Sequence, residues 1–487
     1  MSTSSDTGTD TGNHRLSRRA WSTLLVLCGA LFLDALDVSM MGVALPSIRA
    51  DLGMSTSALQ WVVSGYVLGY GGFLLLGGRA ADLLGRRRVF LVSLAVFLVA
   101  SALSALAVDG TFLVAARFVK GVAAAFTTPA GLSIITTTFA EGPARNKALS
   151  IYTATGATGF SLGLVFGGLL TGIGWQWVCL LPAPLALVTL LAGARLIPDS
   201  GRPARAGRGF DVAGAVTVTA AMLILVYTLV EAPDVGWDSA RTIGSLVAAA
   251  AIMAVFVLIE RRSAAPLVRL GILRSGALVR ANLGAMTLIG AWFGTQFITT
   301  LYLQQLRGWS ALETGLAIFP AGALVAVLAP RVAPLVSRFG VQRVIFVGLS
   351  SAVAAYALYL PIDADTGYAA MLPTYLLGGL AFGLAYGPLN IAATNGIAPH
   401  EQGLAGGLVN TSFQFGGALV LAVTTAVNNG ATRPDGTAQG LLDGFHAALV
   451  VPVIVAALGA AVALLGIRQP RPTTEPAGSE EPIRLAA

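Results

Sequence analysis

The sequence predicts an all-α protein that crosses a membrane fourteen times, and three observations predict it. Only 11% of the 487 residues are charged and 55% are hydrophobic, with a mean hydropathy of +0.78; soluble proteins carry roughly 25% charged residues. Apolar runs of about 20 residues, the length that spans a bilayer as a helix, recur through the chain. Of the 30 Lys and Arg residues, 24 fall in the tails and alternate loops on one side, while the other side holds only Arg49, Arg241, Arg307 and Arg433. That asymmetry is the positive-inside rule. It places both termini in the cytoplasm and makes the net charge of +7 a matter of orientation in a lipid bilayer, with no nucleic-acid partner implied.

The spans read, in order, 21–46, 58–77, 89–108, 111–136, 147–172, 177–197, 211–231, 241–260, 277–303, 312–332, 341–361, 368–392, 402–427 and 444–467. The first run is too long for the apolar region of a signal peptide and is expected to stay as a span. Residues 1–20 and 468–487 read as disordered cytoplasmic tails from their polar composition. An internal echo orders the rest: GRAADLLGRRRV (78–89) follows span 2 and APLVSRFGVQRV (333–344) follows span 10, with Gly85, Arg88 and Val89 answering Gly340, Arg343 and Val344. The offset is eight spans, so a six-span repeat needs two extra spans between its copies. The expected organisation is therefore 6 + 2 + 6: a six-helix half over 21–200, an inserted pair over 201–265 and a second half over 266–467. Repeated halves around a midplane site are characteristic of transporters.

Several chemistries are excluded. Lys120 and Lys147 follow Val119 and Asn146, so no Gly-Lys pair exists for a phosphate-binding loop. His14, His400 and His446 show no ligand or triad spacing, and Cys28 and Cys179 suggest neither a metal nor a disulfide. No enzyme, metal site or cofactor is expected; uphill movement would draw on an ion gradient. Arginine outnumbers lysine 28 to 2, a composition suggestive of a GC-rich bacterial genome.

GRAADLLGRRR resembles the loop 2–3 signature of the major facilitator superfamily, with Gly78, Asp82, Gly85, Arg86 and Arg87 at matching positions, Arg88 beside them and Ala80 in place of the usual Leu. Gly78 and Gly85 would allow close helix approach and a tight turn. Asp82 could accept charge-assisted bonds across the cytoplasmic edge as a latch, or the loop could be a solvated basic turn. LDVSMMGVALP (36–46) resembles the span 1 pattern of the fourteen-span drug:proton antiporter branch, with Ser39 for Thr and Gly42 for Asn. LVAARFVKGVAAA (113–125) resembles the span 4 pattern through Arg117 and Gly121, with Lys120 where Gln is usual.

At ~1.5 Å per residue from the outer ends, Asp37 lies ~13 Å deep, Asp34 ~18 Å, Arg117 ~9 Å and Lys120 ~13 Å. Two acids three residues apart thus face two bases three residues apart. Charges at such depth pair or line water. Two readings follow: a salt-bridge ladder that never titrates, or a carboxylate that takes a proton in one conformation and releases it in the other. Asp37, which matches the pattern, is the first choice as carrier, with Asp34 and Lys120 paired so as to leave it free.

In span 5, GATGFSLGLVFGG (156–168) places Gly156, Gly159, Gly163 and Gly167 on one helical stripe with Gly168 beside it. The stripe resembles the antiporter signature, though Leu164 stands where that signature has Pro. It suits close helix packing, and the resemblance implies a seal against proton leak. Trp175, Trp177 and Pro184 after span 5, with EAPDVGW, GWSALETGLAIFP and GLAGGLVNTSFQFGG later, also look like this branch. Tyr66, Tyr70, Trp292, Gln296, Asn390, Asn395, Asn410 and Gln414 are candidates for a substrate cavity, or for helix-packing contacts. The resemblance implies a proton-driven antiporter that exports amphipathic drugs or antibiotics by alternating access, acting as a monomer. A dedicated exporter of one endogenous metabolite, a symporter of the same fold and a non-transporting sensor stay as alternatives.

Overall fold

The computed structural model describes residues 18–139, 143–198, 211–263, 266, 270–395, 397, 402–433 and 437–467. The expected tails, but for the first turn of the first helix, and most of the Arg/Gly/Pro-rich segment 200–211 lie outside the described residues. The helices are α1 (Arg18–Leu52), α2 (Thr56–Leu84), α3 (Arg86–Ala105), α4 (Gly110–Thr138), α5 (Pro143–Thr171), α6 (Trp175–Leu180), α7 (Pro182–Leu196), α8 (Val212–Val235) and α9 (Ala240–Arg262), then α10 (Gly276–Leu301), α11 (Ala311–Phe339), α12 (Val341–Leu358), α13 (Tyr368–Thr394), α14 (Gln402–Ala431) and α15 (Ala438–Ile467). Eleven described stretches, with α6 and α7 counted as one, are long and apolar enough to cross a membrane. Helices α2, α8 and α10 complete an order of fourteen.

Most helices overrun the limits read from the sequence. Helix α1 passes through Pro46 to Leu52, because packed neighbours in a membrane protein tolerate the lost N–H. The sixth span is broken at Leu181, with Pro182 starting α7.

The two six-span sets repeat one packing scheme. Helix α1 packs on α5 and α7, α2 on α4, and α3 on α4 and α7; in the same way α10 packs on α14 and α15, α11 on α13, and α12 on α13 and α15. The sets meet along two seams, α5 on α11 and α2 on α14. The inserted α8 sits over the second seam, touching both α2 and α14. Thr219 donates to the Gly72 carbonyl (2.9 Å) and Trp61 donates to Glu231 (3.1 Å).

At the end opposite the start of α1, one apolar cluster unites both sets, including Met41, Leu45 and Ile48 of α1, Phe297 and Leu301 of α10, and Phe445 of α15. Gln304 adds a hydrogen bond to the Val43 carbonyl (2.9 Å). Toward the other end the cores are separate: Leu24, Phe90 and Ile135 belong to one, Leu278, Ile345 and Leu389 to another. The two sets thus share an apolar cluster at the far end and have clusters of their own near the start of α1.

The echoed loops prove to be single-glycine turns. Gly85 (φ 96°, ψ 124°) joins α2 to α3, and Gly340 (φ 84°, ψ 147°) joins α11 to α12. Only glycine adopts this region without strain of about 1–3 kcal/mol. Gly340→Ala is expected to cost about that much and to lower the Tm of the purified protein. Gly244→Ala, in α9 with open space around it, should leave Tm unchanged or raise it. Equal Tm for both variants would contradict the geometry.

Candidate functional site

Helix α1 carries Asp34 and Asp37 into the N-terminal half, where they take different partners. Asp37 is fully buried and accepts from both the Arg117 guanidinium and the Lys120 ammonium, one on each carboxylate oxygen. Both cations are as buried as the carboxylate. Arg117 also donates through Nε to the Val62 carbonyl (3.1 Å) and lies over the Tyr66 ring, 4.6 Å from its centre. Lys120 sits 4.9 Å from the centre of the Phe97 ring. The two buried cations are thus met by oxygens and aromatic faces, as burial of charge requires.

Asp34 stands one turn nearer the start of α1, is only half-buried, and accepts a hydrogen bond from the Tyr66 hydroxyl. It lines a cavity with Leu94, Thr127, Thr128 and Tyr152, contributed by α3, α4 and α5. The pairing expected from the sequence is thus reversed: Lys120 is on Asp37, and Asp34 is the carboxylate that borders a small cavity. Helical spacing put both acids on one side of α1, but the relative placement of α1 and α4 decides which one Arg117 and Lys120 close on. Tyr66 links the two, touching Asp34 with its hydroxyl and Arg117 with its ring.

The glycine stripe holds the acid-bearing helix in place. A Cβ on Gly159 would meet the Phe32 carbonyl at 2.6 Å, and one on Gly167 would meet Met40 Cα at 2.8 Å; Gly163 faces Ser39 and Leu36. Gly156 abuts the Leu31 side chain, and Gly168 faces Ala311 and Leu312 of α11 instead. The stripe therefore presses α5 against α1 over residues 31–40, while Gly168 lies in the seam between halves. The Leu164 carbonyl, at the position where Pro was expected, backs onto Gly315 of α11.

Other expectations are met unevenly. Gly85 makes the tight turn, but close approach of α2 to α4 falls at Gly77, whose Cβ would strike Ala125, and not at Gly78, which has ordinary clearance of 3.8 Å to Pro129. Arg87 donates to the Ala194 carbonyl at the end of α7 (2.6 Å), Arg86 and Arg88 start α3, and the Asp82 side chain lies outside the described residues. Tyr70 donates to Thr128 (3.0 Å). Trp292 and Gln296 share a cavity in the C-terminal half with Thr295, Thr299, Tyr356 and Thr374. Asn390 and Asn410 each bond a carbonyl one turn back on their own helix, Asn395 caps the end of α13 and is exposed, and Gln414 packs on Gly71 at the α2–α14 seam. The sequence reading missed Phe97, Thr295 and Thr374. Thr295 had a signal, lying with Trp292, Gln296 and Thr299 at i, i+3, i+4 and i+7 of one helix.

Comparison with known proteins gives a family and relatives. The profile described as Major Facilitator Superfamily matches residues 27–421. The puromycin resistance protein pur8 of Streptomyces alboniger is 37% identical over 463 residues, 91% of each chain. The cephamycin export protein CmcT of Amycolatopsis lactamdurans is 36% identical, over 87% of this chain and 88% of its own. Among solved structures, the human organic anion transporter MFSD10 superposes with a TM-score of 0.63 at 17% identity, covering 91% of this chain and 99% of its own.

Removing the carboxylate strands two buried cations, at a cost of about 3–5 kcal/mol, whereas removing one of those cations as well relieves part of it. Asp37→Asn should therefore sharply lower the Tm of the purified protein, and Asp37→Asn with Lys120→Met should recover part of the loss. A double variant no more stable than Asp37→Asn alone would show that Lys120 does not act through Asp37.

Proposed function

The chain belongs to the major facilitator superfamily, and within that family of transporters we propose that it is a proton-driven exporter of amphipathic, cationic small molecules from the bacterial cytoplasm, both termini lying inside. Two relatives named for antibiotic resistance or export, each matching most of the chain, support the direction. The distribution of Lys and Arg supports the orientation. In that orientation the end where one apolar cluster unites both halves faces outward.

The observation that carries the coupling is the unequal setting of the two carboxylates. Asp37, Arg117 and Lys120 form a buried group with one net positive charge, and Asp34 balances it from the edge of a cavity. A proton on Asp34 leaves that positive charge uncompensated and weakens the hydrogen bond from the Tyr66 hydroxyl. A cationic solute close to Asp34 is then repelled. Proton and cation thus compete for one carboxylate, which is the thermodynamic requirement for exchange. Asp37 serves as the fixed anchor of the cations, and Asp34 takes the titrating role first given to Asp37 by its sequence pattern.

A narrower reading, export of a single compound, is favoured by relatives whose names each carry one antibiotic. A resistance and accumulation panel in a pump-deficient host separates the two readings by breadth. In everted vesicles, Asp34→Asn is expected to fold with near-normal Tm and to lose proton-coupled efflux by about tenfold or more. Asp37→Asn is expected to lower Tm first, since it strands two cations. Proton-coupled efflux surviving in Asp34→Asn at the wild-type rate would overturn the assignment.

A further inference from the structure

We propose that the cavity of the C-terminal half is a subsite for one uncharged, hydrogen-bond-accepting oxygen of the transported molecule: a carbonyl, ether or hydroxyl. The proposal rests on the export reading above and adds the chemistry of its second contact. Trp292 Nε1, Thr295 Oγ1 and Thr374 Oγ1 all border this cavity, and none has a hydrogen-bond partner among the described residues. Their residues are only 8%, 7% and 3% exposed. A buried polar group left unpaired costs about 1–3 kcal/mol, and nine in ten or more such groups are paired. Unpaired polar atoms gathered around one space mean that the space takes a partner the described residues do not supply.

Their chemistry selects that partner. An indole N–H only donates, and a hydroxyl with no acceptor nearby is free to donate. No carboxylate, guanidinium or ammonium lines the cavity, so the fit is to a neutral acceptor and not to an ion. The space holds a water molecule or two, enough for an oxygen at the tip of a ligand and too little for a ring system. Gln296 is shared with a neighbouring cavity between the halves, lined also by Val38 and Gly42 of α1, so the subsite adjoins the seam between them. A Cβ on Gly42 would lie 2.8 Å from Gln296 Nε2, so the missing side chain keeps this junction open. The substrate class is then an amphipathic cation with an acceptor oxygen, its charge directed to Asp34 and its oxygen to α10 and α13.

The test uses two cationic probes and the full-length protein in nanodiscs without a proton gradient. Rhodamine 6G carries an ester carbonyl; tetraphenylphosphonium carries no hydrogen-bonding group. Replacing Thr295 and Thr374 together by Val is expected to raise the Kd for rhodamine 6G about tenfold, to leave that for tetraphenylphosphonium unchanged, and to leave Tm unchanged or higher. Trp292→Phe should act in the same direction on rhodamine 6G alone. Equal weakening of both probes, no change in either, or no binding of rhodamine 6G to the wild type overturns the subsite. So does a fall in Tm with unchanged rhodamine 6G binding, the mark of hydroxyls that hold structural water. The export reading fails separately, if wild-type proteoliposomes bind tetraphenylphosphonium yet do not move it on an imposed proton gradient.

Discussion

A carboxylate buried between two cations is the constraint around which the N-terminal half is arranged. Desolvating Asp37, Arg117 and Lys120 costs several kcal/mol per ion, and the half meets that cost with geometry. Each Asp37 oxygen has its own cation, Arg117 has the Val62 carbonyl and the Tyr66 ring, and Lys120 has Phe97. These contacts fasten α1, α2, α3 and α4 to one another. The glycine stripe then brings α5 onto the same stretch of α1. A half fastened in this way suits the rigid rocking about a fixed site by which many transporters alternate access.

The second acid gains its meaning from the first. Were Asp34 alone on α1, any cation within reach would close on it. Because Asp37 already satisfies both, Asp34 has a tyrosine hydroxyl and a cavity beside it among the described residues. In the proposed exporter this leaves one negative charge accessible from the passage, and places it opposite a C-terminal half whose cavity offers neutral donors. The two halves then contribute unlike chemistry, charge from one and hydrogen bonding from the other, to a single solute held between them.

Much of the architecture was legible in the chain because hydrophobic length and basic loops report spans directly. The depths counted for Asp37 and Lys120 agreed, and the two do meet. Partner choice was not legible: a three-residue offset on α1 places both acids on one side, and only the paths of α1 and α4 in space decide which is reached. Close approach at Gly77 in place of Gly78 has the same origin, since a one-residue rotation about α2 is invisible in a motif. Asn390 and Asn410 looked like ligands by polarity, yet each satisfies itself on its own helix, an option open to any amide inside a span. Thr295 and Thr374 were overlooked because threonine commonly bonds its own helix in the same way; their failure to do so is visible only in three dimensions.

The inserted pair gives the bundle two unlike flanks. Helix α8 roofs the α2–α14 seam and is fastened there through Gly72 and Trp61, while the α5–α11 seam has no inserted helix across it among the described residues. A greasy solute already dissolved among the acyl chains therefore meets a double wall on one flank and a bare joint on the other. Lateral entry from the leaflet, if the protein uses it, is one-sided by construction.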